Sequence, residues 1–146
     1  CLPERVAAAH AQVQEGAEVS GRDPAGVTIA AYVRASLGSD EAAAFLALKT
    51  AIGEYASFPA YARQFSSMGL GDVASQAAAA FTAGRPEDVP EALIHQVCLS
   101  GDPKDARARL EAFRDAGADL PVVYPVVTGA DPAGSAAETL RALAPN

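Results

Sequence analysis

The chain has 146 residues, of which 50% are hydrophobic and 20% are charged, so it has the composition of a globular domain large enough to bury a core. Its formal net charge of -7 and its two lysines argue against nucleic acid or an anionic membrane surface as a partner. We expect neither a membrane span nor a secretory leader. The two cysteines, Cys1 and Cys98, fit a reducing compartment, so the expected location is cytoplasmic. Abundant Ala, Asp, Gly and Arg with little Lys is typical of a high-GC bacterial source.

The first third of the chain is predicted to be helix, strand and helix. A helix over 3–20 is followed by a strand over 27–37, because this second run is apolar until Arg34. Asp40 then caps an Ala-rich helix that is predicted to end near Gly53.

The middle of the chain, residues 54–97, is predicted to be a helical insertion. Four of the nine aromatic residues lie at its start, with spacings of three, three and four: Tyr55, Phe58, Tyr61 and Phe65. This spacing favours a helical packing stripe. The turn at Gly69 and Gly71 lacks the third glycine, the preceding strand and the Lys-Ser/Thr pair of a phosphate loop, so it is interpreted as a helix cap.

The clearest local signal is a turn, helix, turn and strand near the C-terminus. Asp102 is a good N-cap for a helix over 102–116, which Gly117 ends, and an apolar strand over 120–127 follows. Neither predicted strand alternates polar with apolar residues, which predicts burial on both faces, as in a parallel sheet wrapped by helices. A terminal helix over 131–143 completes an α/β, helix-rich domain with two parallel strands side by side.

Metal and nucleophile patterns are weak in this sequence. His10 and His95 are far apart, and neither has a second ligand at the usual metal spacing. His95 and Cys98 would lie one turn apart on a helix, where a buried thiol beside a histidine is the favoured interpretation. We therefore expect no metal site, and the catalytic residues stay unidentified.

The order of elements resembles the C-terminal half of the bacterial luciferase-like monooxygenase family, whose members are TIM barrels that use FMN or the deazaflavin coenzyme F420. The stretch SGDPKDARARLEAFRDAGADLPVVYPV, residues 100–126, is similar to the family's final helix and eighth strand. The stretch EYASFPAYARQFSSMGLGDVASQAAAAFTAGRP, residues 54–86, is similar to the insertion before that helix. The resemblance makes the strand over 27–37 the family's seventh.

The resemblance implies that residues 1–146 form a single partial-barrel domain, the C-terminal portion of a (β/α)8 barrel. The first six strands, with the catalytic residues and most cofactor contacts, would then lie upstream of Cys1. We expect coenzyme F420 or FMN in the complete enzyme, with neither held tightly by this chain alone. The implied function is hydride transfer or monooxygenation on a small organic substrate. The alternative is a non-catalytic α/β association module that lacks the cofactor half, and either a homodimer or a missing N-terminal half is the expected partner.

In such barrels the active site lies at the C-terminal ends of the strands. Arg34 lies near that end of the first predicted strand, with Tyr32 on the same face, and Tyr124 lies near the end of the last strand. An arginine there is suited to hold an anionic substrate or cofactor group by bidentate contacts. The alternative is that Arg34 marks a solvated strand end and pairs with Asp40 or Glu41, and that Tyr124 belongs to the core.

The insertion of the family would supply a wall of the flavin or substrate pocket. The resemblance therefore makes Tyr55 and Tyr61 candidate binding residues, as the alternative to a packing stripe.

Overall fold

Residues 2–144, which the computed structural model describes, form seven α-helices and three short strands. In chain order these are α1 (Pro3–Val19), β1 (Ala30–Ala35), α2 (Glu41–Ser57), α3 (Pro59–Ser67), α4 (Gly71–Thr82), α5 (Glu91–Val97), β2 (Cys98–Leu99), α6 (Pro103–Asp115), β3 (Leu120–Pro125) and α7 (Pro132–Leu143). Single 3-10 turns lie at Pro24–Gly26 and Pro86–Asp88. Cys1, one of the two cysteines considered above, lies outside the described residues.

Aspartate caps begin three of the helices, as their sequence positions predict. The carboxylate of Asp40 accepts from the amide of Ala43 at 3.0 Å, and that of Asp131 accepts from the amide of Gly134 at 3.0 Å. Asp102 accepts from the amide of Lys104 at 2.7 Å. Each cap satisfies a backbone donor that the first turn leaves free.

The strands form one parallel sheet in the order β2-β1-β3. The predicted parallel pairing of the first and last strands is confirmed, with Arg34 opposite Tyr124 and Tyr32 opposite Val122. The expectation of two strands is wrong, because β2 pairs with the last two residues of β1. A strand of two residues is too short to carry a sequence pattern of its own.

The helix that begins after Asp40 is longer than predicted, since it runs through Gly53 to Ser57. Gly53 is an interior residue of α2 at the contact with α4: an added Cβ would lie 2.9 Å from the Cβ of Phe81. Because glycine has no Cβ, Gly53 permits α2 and α4 to approach closely, and it does not end α2. Tyr55 therefore belongs to α2, and α3 starts after a break at Phe58.

Two hydrophobic clusters form the interior of the described residues. The first, named the helical core here, lies among α2, α3, α4 and α5: Leu48, Ile52, Ala56, Phe65, Leu70, Ala74, Ala77, Ala80, Val89, Leu93, Ile94, Val97 and Cys98. The second, named the sheet core, lies between one face of the sheet and α1, α6 and α7: Val6, Ala31, Val33, Ala35, Leu37, Leu99, Ala106, Leu110, Phe113, Ala118 and Leu143.

The prediction that both strands are buried on both faces is wrong for this chain. In β1 the burial alternates: Val33 is 1% exposed on the face toward the sheet core, whereas Tyr32 is 65% exposed on the other. In β3 the residue opposite Arg34, Tyr124, is 56% exposed. Within residues 2–144 helices cover one face of the sheet, and we call the other the open face. Its residues Ala30, Tyr32, Arg34, Leu120, Val122 and Tyr124 share one side by their register.

The loop after β1 is fixed by hydrogen bonds to distant parts of the chain. The hydroxyl of Thr139, fully buried in α7, donates to the carbonyl of Leu37 and accepts from its amide, both at 3.0 Å. The hydroxyl of Ser36 donates to the carbonyl of Val126 at 2.8 Å. The Thr139 bonds therefore join the loop after β1 to α7, and the Ser36 bond joins the carboxyl ends of β1 and β3. No helix among residues 2–144 has the length and hydropathy that a membrane span requires.

Candidate functional site

A cavity of about 480 Å³ lies along β1, between the sheet, α1 and the helical insertion. All five residues that the sequence singled out line it: Tyr32, Arg34, Tyr55, Tyr61 and Tyr124. They come from three separate parts of the chain, namely β1, the junction of α2 and α3, and β3. The fold therefore brings together residues that the sequence could relate only through the resemblance.

Arg34 is held by aromatic rings on this face. Its guanidinium carbon lies 3.7 Å from the centroid of the Tyr55 ring and 5.5 Å from that of Tyr124. A cation this close to a ring face is attracted by the ring quadrupole. Neither alternative partner is used: Asp40 caps α2, and the ion pairs among residues 2–144 include none between Arg34 and either Asp40 or Glu41. The guanidinium is thus stacked at the strand end.

The aromatic stripe of the insertion is divided between two environments. The rings of Tyr55 and Tyr61 lie 4.5 Å apart across the turn at Phe58 and Pro59, and Phe58 packs edge-on to Tyr55 at 6.4 Å. Phe65 is buried as part of the helical core and also contributes to the lining of the cavity. The packing interpretation therefore holds for Phe65, whereas Tyr55, in the last turn of α2, and Tyr61, in the first turn of α3, meet at the cavity.

The lining of the cavity is apolar and cationic. It includes Arg5 and Arg34 but no aspartate or glutamate, in a chain with 18 acidic residues and 11 arginines and lysines. Sequence reasoning missed Arg5 and Gln64, which line the cavity from α1 and α3. Both are exposed helix residues without a pattern that separates them from solvent-facing side chains, so no local signal marks them.

A second, smaller cavity of about 260 Å³ lies between the loops that follow β1 and β3. Its lining includes Asp40, Asp131 and Glu138, and two of these carboxylates cap the N-termini of α2 and α7. The negative charges oppose the helix dipole's attraction for a phosphate. This cavity is therefore poorly suited to an anion.

Cys98 is a buried structural thiol at the contact between the two cores. Burial raises its pKa to about 12, although the positive charges of Arg34 and Arg109 act in the opposite direction. Because the thiolate is the reactive form, this thiol is a poor nucleophile. Burial likewise lowers the pKa of Arg109, which donates a hydrogen bond to the carbonyl of His95. Within residues 2–144, no group of three His, Cys, Asp or Glu side chains is placed to hold a metal ion.

Known proteins resemble this chain in sequence and in fold. The profile of the luciferase-like monooxygenase family matches residues 2–120. The solved structure of coenzyme F420 dependent tetrahydromethanopterin reductase from Methanopyrus kandleri superimposes with a TM-score of 0.69 at 22% identity, covering 98% of this chain and 43% of that one. The chain thus spans less than half the length of this structure. A comparison with curated proteins finds no match.

The structural likeness shows the fold, a helix-rich α/β unit that corresponds to part of a TIM barrel. The sequence profile, which covers most of the chain, shows the family. This chain belongs to the luciferase-like monooxygenase family.

Proposed function

We propose that the chain is part of a flavin- or deazaflavin-dependent oxidoreductase that performs hydride transfer or monooxygenation on a small organic substrate. We further propose that Arg34 holds an anionic group of the substrate or cofactor. One observation carries this proposal: in a chain of this family, Arg34 lies at the carboxyl end of a barrel strand, stacked on Tyr55 and facing an open cavity. In TIM barrels that end of the strands is where active sites lie.

The described residues fit only part of a flavin-type cofactor. Such a group carries a phosphate-bearing tail, which needs positive charge or free backbone amides. Three helices that follow the strands begin with aspartate caps, which occupy amides and add negative charge: Asp40, Asp102 and Asp131. Most cofactor contacts are therefore expected in another part of the barrel.

The open face supports a proposal about partners. Leu120 and the tyrosines Tyr32 and Tyr124 are each more than half exposed there, and large contiguous apolar surface normally marks an interface. We propose that the remainder of the barrel, or a second copy of this chain, covers the part of the face outside the cavity. Light scattering of the 146-residue chain should show association, and a monomer that binds no dye for apolar surface would contradict this. The proposed location is cytoplasmic, in line with the cysteine content.

Arg34→Ala in the complete enzyme tests the role of this arginine. Losing a charge-assisted hydrogen bond costs about 1.5–3 kcal/mol, which corresponds to a roughly tenfold to hundredfold weaker apparent affinity for substrate or cofactor. The melting temperature should change little, because Arg34 belongs to neither core. Arg22→Ala, which removes an exposed arginine outside the cavity, is the matched control. Unchanged affinity would make Arg34 a solvated strand end.

Titration with FMN and with coenzyme F420 tests the assignment of the cofactor. The complete enzyme should bind one of them and change its absorption spectrum during turnover, whereas the 146-residue chain alone should bind neither tightly. Tight binding by this chain alone would contradict the proposed division of contacts.

The second candidate function is a non-catalytic association module. The aspartate-capped helix N-termini and the open apolar face favour it, because they suit assembly better than phosphate binding. A complete protein that associates and binds neither FMN nor coenzyme F420 would support this alternative.

A further inference from the structure

We infer that the larger cavity selects a ligand with a flat apolar body and one anionic end, such as an aromatic carboxylate, and that Tyr55 orients Arg34 to recognise that end. This inference rests on the proposed function, whose substrate it names by chemical class. Three observations carry it: the sorting of charge between the two cavities, the state of the Arg34 guanidinium, and the composition of the walls.

The charge of the lining differs between the larger cavity along β1 and the smaller cavity at the loops after β1 and β3. The larger one has Arg5 and Arg34 and no carboxylate in its lining, whereas the smaller one has Asp40, Asp131 and Glu138. The excess of acidic over basic residues in the whole chain makes the acid-free lining the exception. An anion is therefore attracted to the larger cavity and repelled from the smaller one.

The guanidinium of Arg34 contacts aromatic rings, whereas its N–H groups have no acceptor among residues 2–144. Tyr55 lies against it at 3.7 Å and Tyr124 is at 5.5 Å. Among residues 2–144, no carboxylate forms an ion pair with Arg34, and the arginine side chains that donate hydrogen bonds are those of Arg107, Arg109 and Arg114. A planar fork with five donors and no protein acceptor matches the two oxygens of a carboxylate.

Stacking on Tyr55 gives the fork a defined plane. An unstacked arginine at a strand end loses side-chain entropy when it binds, and a ring 3.7 Å away reduces that loss by ordering the side chain beforehand. Tyr55 is itself braced by Tyr61 at 4.5 Å and by Phe58 at 6.4 Å. Tyr55 is thus a positioning residue for Arg34, and its ring, not its hydroxyl, does this.

The walls of the cavity suit a flat apolar body. Aromatic rings reach it from the sheet, through Tyr32 and Tyr124, and from the insertion, through Tyr55 and Tyr61. Ile52 and Phe65 add apolar surface from the helical core. Rings prefer offset or edge contacts with other rings, so an aromatic body gains more here than an aliphatic one of equal size. The volume of about 480 Å³ is in the range of small-ligand pockets.

The test measures binding of three small probes to the complete protein by calorimetry or NMR: benzoate, benzamide as its uncharged counterpart, and acetate as the anion without a ring. We expect benzoate to bind at least about tenfold more tightly than either of the others, because it alone satisfies both the fork and the rings. Equal binding of benzoate and benzamide, or of benzoate and acetate, would overturn the inference.

Four variants assign the effect to residues. Arg34→Gln should abolish the preference for benzoate over benzamide, and Arg34→Lys should restore it in part, since lysine keeps the charge without the planar fork. Tyr55→Phe should bind benzoate as the parent protein does, whereas Tyr55→Leu should bind it several-fold more weakly with an unchanged melting temperature. A preference that survives Arg34→Gln, or equal binding by the two Tyr55 variants, would contradict the assigned roles.

These probes also separate this inference from the proposed function. Benzoate binding that depends on Arg34, in a protein that shows no turnover with FMN or coenzyme F420, would refute the oxidoreductase and leave the carboxylate site standing. Turnover that continues while benzoate and benzamide bind equally would support the oxidoreductase and refute the carboxylate site.

Discussion

The two hydrophobic cores differ in how completely the chain encloses them. The helical core is surrounded by its own helices, and Leu48 and Leu93 at its centre have no exposed surface. The sheet core closes one face of the sheet, so Val33 is buried while its neighbour Tyr32 points outward. Stability and function therefore depend on different regions of the chain. The enclosed region stabilises the fold, whereas the open face carries the aromatic rings, the arginine and the cavity.

Substitutions on the two faces of the sheet should differ most in their effect on the free energy of unfolding. Phe113 of α6 is fully buried in the sheet core, and Phe113→Ala should lower the free energy of unfolding by about 3–5 kcal/mol through the cavity it leaves. Tyr32→Ala removes a ring from the open face and should lower it far less. Urea unfolding of both variants gives the comparison. Equal losses would mean that the open face stabilises the chain as much as the buried one.

The contact between the two cores can be probed through pH. Burial raises the pKa of Cys98 from the ordinary value of 9.0 to about 12, so over this interval the unfolded thiol loses its proton while the folded one keeps it. The unfolded state then binds fewer protons, and the free energy of unfolding falls as pH rises through this interval. Well below pH 9.0 the thiol is protonated in both the folded and the unfolded state, so the titration of Cys98 should add no pH dependence to the free energy of unfolding there.

Cys98→Ser is not a matched control for that measurement, because it buries a hydroxyl, whereas Cys98→Ala removes the titrating group with little added polarity. The variant should lose the part of the alkaline slope that comes from Cys98. Rapid alkylation of Cys98 in the folded protein, located by peptide mapping, would show that the contact between the cores is open to solvent.

Alanine substitutions at two glycines compare enclosed with exposed helix surface. Gly53→Ala should destabilise the helical core by about 1–3 kcal/mol, because the new Cβ would meet the Phe81 Cβ at 2.9 Å, and this overpacking exceeds the gain in helix propensity. Gly16→Ala in α1 meets nothing within 4 Å and should stabilise the chain by up to about 1 kcal/mol. Thermal unfolding distinguishes the signs. Two stabilising alanines would mean that α2 and α4 can separate without loss.

Local chemistry explains what the sequence could predict. Asp40 and Asp102 cap helices through amides two or three residues away, and Gly117 with a φ of +98° ends α6. The roles of these residues depend only on nearby positions in the sequence. The apolar runs likewise predicted the parallel pair β1 and β3. These features require no knowledge of distant contacts.

Distant contacts explain what the sequence could not predict. The strand β2 exists because two residues meet the end of β1, and its pattern alone cannot show this. The stacking of Arg34 on Tyr55 requires the last turn of α2 to lie against β1, which is a contact between separate elements. The apolar run in β1 is compatible with burial on one face or on both. Hydrophobicity alone does not show whether the layer that covers a face comes from this chain or from another.

The double hydrogen bond between Thr139 and Leu37 has a consequence for synthesis of the protein. The two residues are 102 positions apart, so a chain growing on the ribosome makes the helices of the insertion long before the partner of Leu37 exists. Those helices make local contacts and are able to pack early. The pairing of β1 with β3 and the bonds from α7 form only after those later elements have been synthesised. A product that stops before Thr139 would keep the helical core and lose the two hydrogen bonds that join α7 to the loop after Arg34. The arginine site is thus completed only after β3 and Thr139 have been synthesised.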